Sequence, residues 1–94
     1  MDISEVRTRQ GMTGRIDGRE VAVSILDGDI RVMENICTHR ACPLIWNGDE
    51  RFWDCQCHGS RFSADGRVLR GPASEPLRAL RHVVTDGRIE LARE

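Results

Sequence analysis

Two short segments in the middle of the chain combine sulfur and nitrogen donors at close spacing. Cys37-Thr38-His39 places a thiol and an imidazole two residues apart, and Cys55-Gln56-Cys57-His58 places a second such pair three residues apart. Fifteen residues separate the two segments. Because thiolate and imidazole are ligands of both zinc and iron-sulfur centres, the spacing predicts a metal site assembled from two loops.

Two kinds of metal centre fit these four donors. Zinc sites with two cysteines and two histidines usually pair Cys with Cys on one loop and His with His on another, whereas each loop here is mixed. Mixed loops suit a two-iron cluster in which one iron takes both thiolates and the other takes both imidazoles. A zinc site stays the alternative, and so does the plainer interpretation of buried cysteines and hydrogen-bonded histidines.

The two motifs, Cys37-Thr38-His39 and Cys55-Gln56-Cys57-His58-Gly59-Ser60, resemble those of the Rieske [2Fe-2S] family, from about residue 13 to the end of the chain. The resemblance implies that Cys37 and Cys55 hold one iron and that His39 and His58 hold the other. It implies one [2Fe-2S] cluster per chain and the transfer of one electron at a time. Two neutral imidazoles in place of thiolates imply a reduction potential of about −150 to +300 mV, against about −400 mV for plant-type clusters.

Two further cysteines, Cys42 and Cys57, lie one in each motif loop. They resemble the disulfide that bridges the loops in the branch of the family that includes the Rieske subunits of quinol-oxidising cytochrome complexes. Such a bond would hold together two loops with little regular structure. Two free thiols in a reducing cytosol stay the alternative. Oxygenase-type Rieske domains normally lack this pair, so its presence argues against ring hydroxylation.

Three residues that follow His58 are expected to tune the cluster. Gly59 leaves the backbone bare beside it, and Ser60, by resemblance, donates a hydrogen bond to a bridging sulfide and raises the potential; a loop-capping serine is the alternative. Phe62 stands where the quinol-oxidising members carry a Tyr whose hydroxyl bonds a ligand sulfur. We therefore expect a potential below theirs and above that of disulfide-free, oxygenase-type domains.

A third loop and a positive rim complete the predicted site. The stretch Gly71-Pro72-Ala73-Ser74-Glu75-Pro76-Leu77 resembles the proline-containing loop that covers the cluster in this family, and a turn-rich connector is the alternative. Arg40 follows the first motif histidine, where the quinol-oxidising branch has Leu. Together with Arg61 it predicts a positive rim that docks an acidic patch or a flavoprotein face.

The aromatic residues suggest a subfamily and a core. Trp46-Asn47, Phe52-Trp53-Asp54 and Ser60-Arg61-Phe62 are most similar to the Rieske domain at the carboxy end of FAD-dependent oxidoreductases of amine-oxidase type. As bulky apolar side chains, Trp46, Phe52 and Trp53 are expected to form the core of the cluster-binding part. The third histidine, His82, is predicted to be a strand residue rather than a ligand.

The segments around the motifs have the pattern of an all-β fold. Alternating β-formers are separated by dipeptides that favour tight hairpin turns, which are Asp17-Gly18, Asp27-Gly28, Asn47-Gly48, Asp65-Gly66 and Asp86-Gly87. No ten-residue segment follows the 3.6-residue helical repeat, and residues 75–81 could form at most one helical turn. We expect an antiparallel sandwich or barrel base, residues 1–35 and 78–94, carrying an inserted cluster-binding subdomain, residues 36–77.

Size and charge narrow the function. The chain has 94 residues and a net charge of −1, so it fits one domain and lacks the basic surface of a nucleic-acid binder. It has no apolar run of eighteen residues and no signal peptide, which predicts a cytoplasmic protein without a membrane segment. We expect a monomeric electron carrier, not an enzyme by itself, whose partner is a redox protein or a flavoprotein domain.

Several forms of this function stay open. The chain could be a ferredoxin, the cluster domain of a larger flavin-dependent oxidoreductase, or a component or small subunit of a multicomponent reductase or oxygenase. A zinc-stabilised interaction module is the alternative from another class, and it would hold one zinc ion in place of the iron.

Overall fold

The computed structural model describes residues 1–38 and 42–92, and within them the chain forms one short helix and nine strands. In chain order these are α1 (Ile3–Arg9), β1 (Gly11–Ile16), β2 (Arg19–Leu26), β3 (Asp29–Glu34), β4 (Leu44–Asn47), β5 (Phe52–Cys55), β6 (Arg61–Ser63), β7 (Val68–Arg70), β8 (His82–Thr85) and β9 (Arg88–Leu91). All strand pairs are antiparallel, in sheets of order β1-β2-β3, β4-β5-β6-β7 and β8-β9. The predicted all-β class is confirmed.

Asp-Gly pairs close three of the hairpins as two-residue turns. At Asp17-Gly18, Asp27-Gly28 and Asp86-Gly87 both residues have positive φ, between 51° and 82°, as the hairpin turn that matches the twist of the strands requires. The other two predicted turns are longer. In the β4–β5 connection the positive φ falls on Arg51. In the β6–β7 connection it falls on Gly66 alone.

The short helix α1 was not expected from the sequence. The side chain of Asp2 caps its first turn by accepting a hydrogen bond from the Ser4 N–H at 2.8 Å. The helix ends at Gln10, whose backbone is left-handed and whose N–H donates to the Val6 carbonyl at 2.7 Å. Val6 is the one buried residue in this helix, so a periodic apolar stripe is absent. No helix in the described residues is long and apolar enough to cross a membrane.

Residues 75–81, a candidate for one helical turn, contain no helix. The chain instead runs along the outer edge of β3, where the Leu80 N–H donates to the Val32 carbonyl at 2.8 Å. The Glu34 N–H donates to the Arg78 carbonyl at 2.9 Å. Pro76 has no N–H to support a helix, and the unpaired edge of β3 offers the following residues better hydrogen-bond partners.

Two apolar cores meet at β2. Along this strand Val21, Ala22, Val23 and Ser24 are all fully buried. Val21 and Val23 face the core of the base, whose other members are Val6, Ile16, Val32, Leu80 and Ile89. Ala22 faces the second core, which it shares with Met33, Cys37, Leu44, Trp53, Cys55, Phe62, Ala73 and Leu77. The predicted boundaries at residues 36 and 77 stay a prediction.

Trp46 connects the four-stranded sheet to the base. Its ring packs against Trp53 with centroids 4.8 Å apart and planes tilted by 56°. On the other side it lies against the backbone of Gly11, the first residue of β1. A Cβ atom at Gly11 would lie only 2.4 Å from two atoms of the Trp46 ring. The close approach of β1 and β4 therefore requires a residue without a side chain at this position.

This contact predicts that alanine substitutions at two glycines of strand β1 differ in their effect on the stability of the protein. Gly11→Ala forces a methyl group into the rigid Trp46 ring and should lower the free energy of unfolding by about 1–3 kcal/mol. Gly14→Ala is the control, because the nearest atom there is the flexible end of the Met1 side chain at 2.7 Å. Urea unfolding followed by circular dichroism measures both variants. Equal losses of stability in the two would contradict the packing argument.

Candidate metal centre

The register of the four-stranded sheet brings the motif loops to one end. Leu44, the first residue of β4, pairs with Cys55, the last residue of β5. Arg61, the first residue of β6, pairs with Arg70, the last residue of β7. The segment entering β4, the loop between β5 and β6 and the loop after β7 therefore lie at the same end of the sheet. All three predicted site loops meet there.

Both motif cysteines are buried at this end, each within a short backbone loop. Cys37 and Cys55 are only 1% exposed and belong to the same apolar core. The Cys37 N–H donates to the Cys42 carbonyl at 2.8 Å, and the Cys55 N–H donates to the Ser60 carbonyl at 2.8 Å. Each bond joins the cysteine to a residue five positions further along the chain. One sulfur atom from each loop thus enters the same apolar environment.

A disulfide joins the two loops. Cys42 and Cys57 form a bond of 2.02 Å between their sulfur atoms, with Cα atoms 6.3 Å apart. The predicted pairing is confirmed, and the alternative of two free thiols is wrong for this structure. Cys37 and Cys55 are outside this bond, so the predicted sulfur donors and the disulfide cysteines are separate pairs.

The imidazole side of the site is the exposed side. His58 is exposed, as is Gly59 beside it, whose φ of 77° is one that residues with a side chain rarely adopt. The Gly59 N–H donates to the Cys55 carbonyl at 3.1 Å, which closes the turn after the second cysteine. The loop therefore places the Cys55 side chain in the core and the His58 side chain at the surface.

Two predicted site residues, His39 and Arg40, lie outside the described residues, so their roles stay predictions. Within residues 1–38 and 42–92, no three His, Cys, Asp or Glu side chains are grouped closely enough to hold one metal ion. The donors described here are two buried sulfur atoms from separate loops and one exposed imidazole. This donor set, soft sulfur inside and imidazole outside, fits an iron-sulfur cluster held between two loops.

The third loop is fastened to both motif loops by side-chain hydrogen bonds. Ser60 is fully buried, and its Oγ accepts a hydrogen bond from the Ala73 N–H at 3.0 Å. Thr38, between the two donors of the first motif, donates from Oγ1 to the Glu75 carbonyl at 2.5 Å. Because Ser60 is the acceptor in its bond, its own hydroxyl proton is available for a second bond. Sequence reasoning missed Thr38 and Glu75, since their residue types alone give no signal.

The aromatic residues divide between the two faces of the sheet. Trp53 and Phe62 are fully buried in the core that contains the cysteines. Phe52 points the other way and is 7% exposed, because the guanidinium carbon of Arg61 lies 4.6 Å from its ring centroid. Such a cation–π contact holds the arginine in place. The predicted docking residue Arg61 is therefore a fixed side chain on the outer face.

Comparison with known proteins decides the family. The family model for the Rieske [2Fe-2S] domain matches residues 1–81 of this chain. The chain belongs to the Rieske [2Fe-2S] family. The match begins at residue 1, so the resemblance extends further toward the amino terminus than the motifs indicated. The family binds a [2Fe-2S] cluster. Rieske proteins and Rieske-type ferredoxins are electron carriers.

Similar Rieske proteins differ widely in length. YhfW of Bacillus subtilis, described as a Rieske 2Fe-2S iron-sulfur protein, is 36% identical over 81 residues, which are 85% of this chain and 16% of that protein. The cytochrome b6-f complex iron-sulfur subunit of Synechococcus elongatus is 42% identical over 84 residues, 88% of this chain and 46% of that subunit. The chain thus spans less than half the length of these curated relatives.

Solved structures of small Rieske proteins match the fold from end to end. The cyanobacterial plasma membrane Rieske protein PetC3 from Synechocystis PCC 6803 superimposes with a TM-score of 0.83 at 26% identity, covering 98% of this chain and 95% of that one. The ferredoxin of carbazole 1,9a-dioxygenase from Nocardioides aromaticivorans IC177 superimposes with a TM-score of 0.73 at 21% identity, covering 100% and 94%. The second likeness concerns the fold alone.

The hydrogen bond between Ser60 and the third loop generates a stability prediction. Ser60→Ala leaves the buried Ala73 N–H without its acceptor and should lower the free energy of unfolding by about 1–3 kcal/mol. Ser74→Ala, an exposed serine in the same loop, should change it by less than about 0.5 kcal/mol. Chemical unfolding of the iron-loaded proteins measures both. A Ser60→Ala variant as stable as Ser74→Ala would show that the bond does not hold the loop.

Proposed function

We propose that this chain is a one-electron carrier whose cluster is held by Cys37 and Cys55 on one iron and by His39 and His58 on the other. When bound, the cluster takes up and gives back a single electron. The observation that carries the proposal is the arrangement of the second loop, which buries Cys55 in the core and leaves His58 at the surface. A carrier needs this asymmetry, because its redox centre must be shielded on one side and reachable on the other.

The contacts around the site restrict the motion of its three loops. The Cys42–Cys57 disulfide fixes the spacing of the two loops, and the bonds from Thr38 and to Ser60 keep the third loop in place. Ala73 of that third loop is 4% exposed, so the loop excludes water from the sulfur side. A site held in this way changes little in geometry when its charge changes, which favours electron transfer over substrate chemistry.

The proposed partners are redox proteins or flavoprotein domains that meet the histidine side. A second form of the function is the electron-transfer component of a multicomponent oxygenase. The fold is compatible with it, because the ferredoxin of carbazole 1,9a-dioxygenase has the same fold from end to end, and another solved structure with this fold is a complex of reduced oxygenase with oxidised ferredoxin in carbazole 1,9a-dioxygenase. A cluster domain of a longer protein is supported by the similarity to YhfW, of which the matched residues are 16%; a flavin-dependent oxidoreductase is the longer protein that the sequence resemblance implies.

Metal content and ligand replacement test the proposal together. Protein prepared with iron and sulfide should hold two Fe and two sulfide per chain and give a [2Fe-2S] electron paramagnetic resonance signal after reduction. His58→Ala should lose the cluster, whereas the control His82→Ala, in strand β8, should keep it. One zinc per chain, or a full cluster in His58→Ala, would reject the proposed ligand set.

The missing tyrosine hydroxyl generates a prediction about the reduction potential. Phe62 is fully buried in the core that contains both motif cysteines. By the family resemblance, Phe62→Tyr supplies a hydrogen bond to a ligand sulfur, which stabilises the reduced cluster and raises the potential. A bond stronger by about 1 kcal/mol in the reduced state corresponds to roughly 40 mV. Protein-film voltammetry measures the shift.

The matched control for this variant is Phe52→Tyr, on the opposite face of the same sheet. Its hydroxyl would lie beneath Arg61, away from the core with the cysteines, so its potential should equal that of the parent protein. Equal potentials for all three proteins would contradict the assigned role of position 62.

A further inference from the structure

The outer face of the four-stranded sheet carries a row of side chains directly beside the metal centre. Ile45, Asp54, Arg61 and Arg70 are cross-strand neighbours in the register of β4, β5, β6 and β7. Side chains alternate between the faces of a sheet, and the adjacent residues Trp46, Trp53 and Phe62 face the core, so Ile45, Asp54 and Arg61 face outward. Arg70 pairs with Arg61 across a one-residue register shift at Leu69, and its side chain is exposed.

This row is the outward row nearest to the motif loops. Asp54 immediately precedes Cys55, and Arg61 immediately follows Ser60. Arg70 immediately precedes the third loop, which begins at Gly71. Three strand spacings of about 4.8 Å make the row about 14 Å long. A partner that lay along it would reach the edge of the metal centre.

The charges of the row are unusual for neighbouring strands. Arg61 and Arg70 are directly opposite each other, and like charges in this position destabilise a sheet. Neither arginine forms an ion pair with any described residue. Asp54, on the other side of Arg61, is the single acid of the row. The row is thus locally positive although the whole chain has a net charge of −1.

Exposed apolar side chains lie at both ends of the row. Ile45, at one end, is 51% exposed. At the other end the register shifts, because Phe62 pairs with Val68 while Arg61 pairs with Arg70. Leu69 is the extra residue in this bulge, and it is 58% exposed on an edge strand. A bulge re-aims side chains at a sheet edge, and here it leaves a large apolar side chain in water beside Arg70.

Arg61, in the middle of the row, is also held in position before any partner binds. Its guanidinium lies over the Phe52 ring at 4.6 Å, and its Nε is buried with no hydrogen-bond acceptor among the described residues. An arginine fixed by a ring in place of a carboxylate keeps its positive charge uncompensated. Because the side chain is already ordered, an incoming carboxylate meets it at a lower entropic cost.

We propose that this docking row, made of Ile45, Asp54, Arg61 and Arg70 with Leu69 at its end, binds an acidic face of the protein that exchanges electrons with the cluster. Carboxylates of the partner pair with the two arginines, and its apolar side chains cover Ile45 and Leu69. Arginine is enriched at protein interfaces, and the exposed Ile45 and Leu69 give a partner protein apolar surface to cover. In a symmetric dimer through this face the same two arginines would oppose each other, so the row favours a different protein as its partner. The inference rests on the proposed electron-transfer function.

A carboxylate surface is a suitable probe, because the negatively charged chain as a whole is not attracted to it. The iron-loaded protein is adsorbed on gold that carries a mixed layer of carboxylate-terminated and methyl-terminated thiols, and voltammetry gives the coverage and the electron-transfer rate. At low ionic strength, Arg70→Gln should lower the affinity for the layer about 3-fold, and Arg61→Gln combined with Arg70→Gln about 10-fold. Both losses should shrink at high salt.

Two variants make the test specific. Arg51→Gln is the matched control, since it removes an exposed arginine from the opposite end of the same sheet and should leave the affinity unchanged. Leu69→Ser should lower the affinity about 3-fold at high salt, where Arg70→Gln has little effect.

The outcomes separate this inference from the proposed function. If the iron-loaded parent protein gives no reversible wave in solution voltammetry without the layer, the electron-transfer function fails; if it gives the wave in solution but does not adsorb on the layer, the docking row is wrong. If the wave is present but Arg70→Gln behaves like Arg51→Gln, the docking row is wrong and the carrier function stands. Arg70 is exposed, so its replacement tests the row even if replacing Arg61 unfolds the sheet.

Discussion

The disulfide between Cys42 and Cys57 joins the two loops that carry the proposed donors of the metal centre, and the arrangement of the proposed site depends on that connection. In the described residues neither loop contains a strand or a helix of its own, so without a crosslink each would sample many conformations. Closing a loop of 15 residues removes about 3 kcal/mol of conformational freedom from the unfolded chain. The third loop then has fixed partners, Thr38 and Ser60, and it covers the same end of the sheet.

Much of this arrangement could be predicted from the sequence, for local reasons. Asp-Gly pairs determine three hairpins because few other residues adopt positive φ at both turn positions. The spacing of the motif residues, with the family resemblance, identified the metal type and the disulfide. Helix α1 escaped prediction because it depends on one cap at Asp2 and one buried residue, Val6. Such a short element has too few apolar residues to show a period.

What could not be predicted depends on contacts between distant residues. The bond from Thr38 to Glu75 spans 37 residues, and the bond between Ser60 and Ala73 spans 13. The need for glycine at position 11 exists only because Trp46 of another sheet packs there. The outward row of the four-stranded sheet depends on a one-residue register shift at Leu69. A shift of that kind changes which side chains share a face, and no single residue type in the sequence indicates it.

Strand β2 has a consequence for how the molecule opens. It is buried on both faces, with Val21 and Val23 in the core of the base and Ala22 in the core that contains the cysteines. Neither core can be exposed to water without disturbing the strand that completes the other. Partial opening of proteins follows units that separate with few shared contacts, and the base and the metal centre share this buried strand. Opening of one core along β2 is therefore coupled to opening of the other.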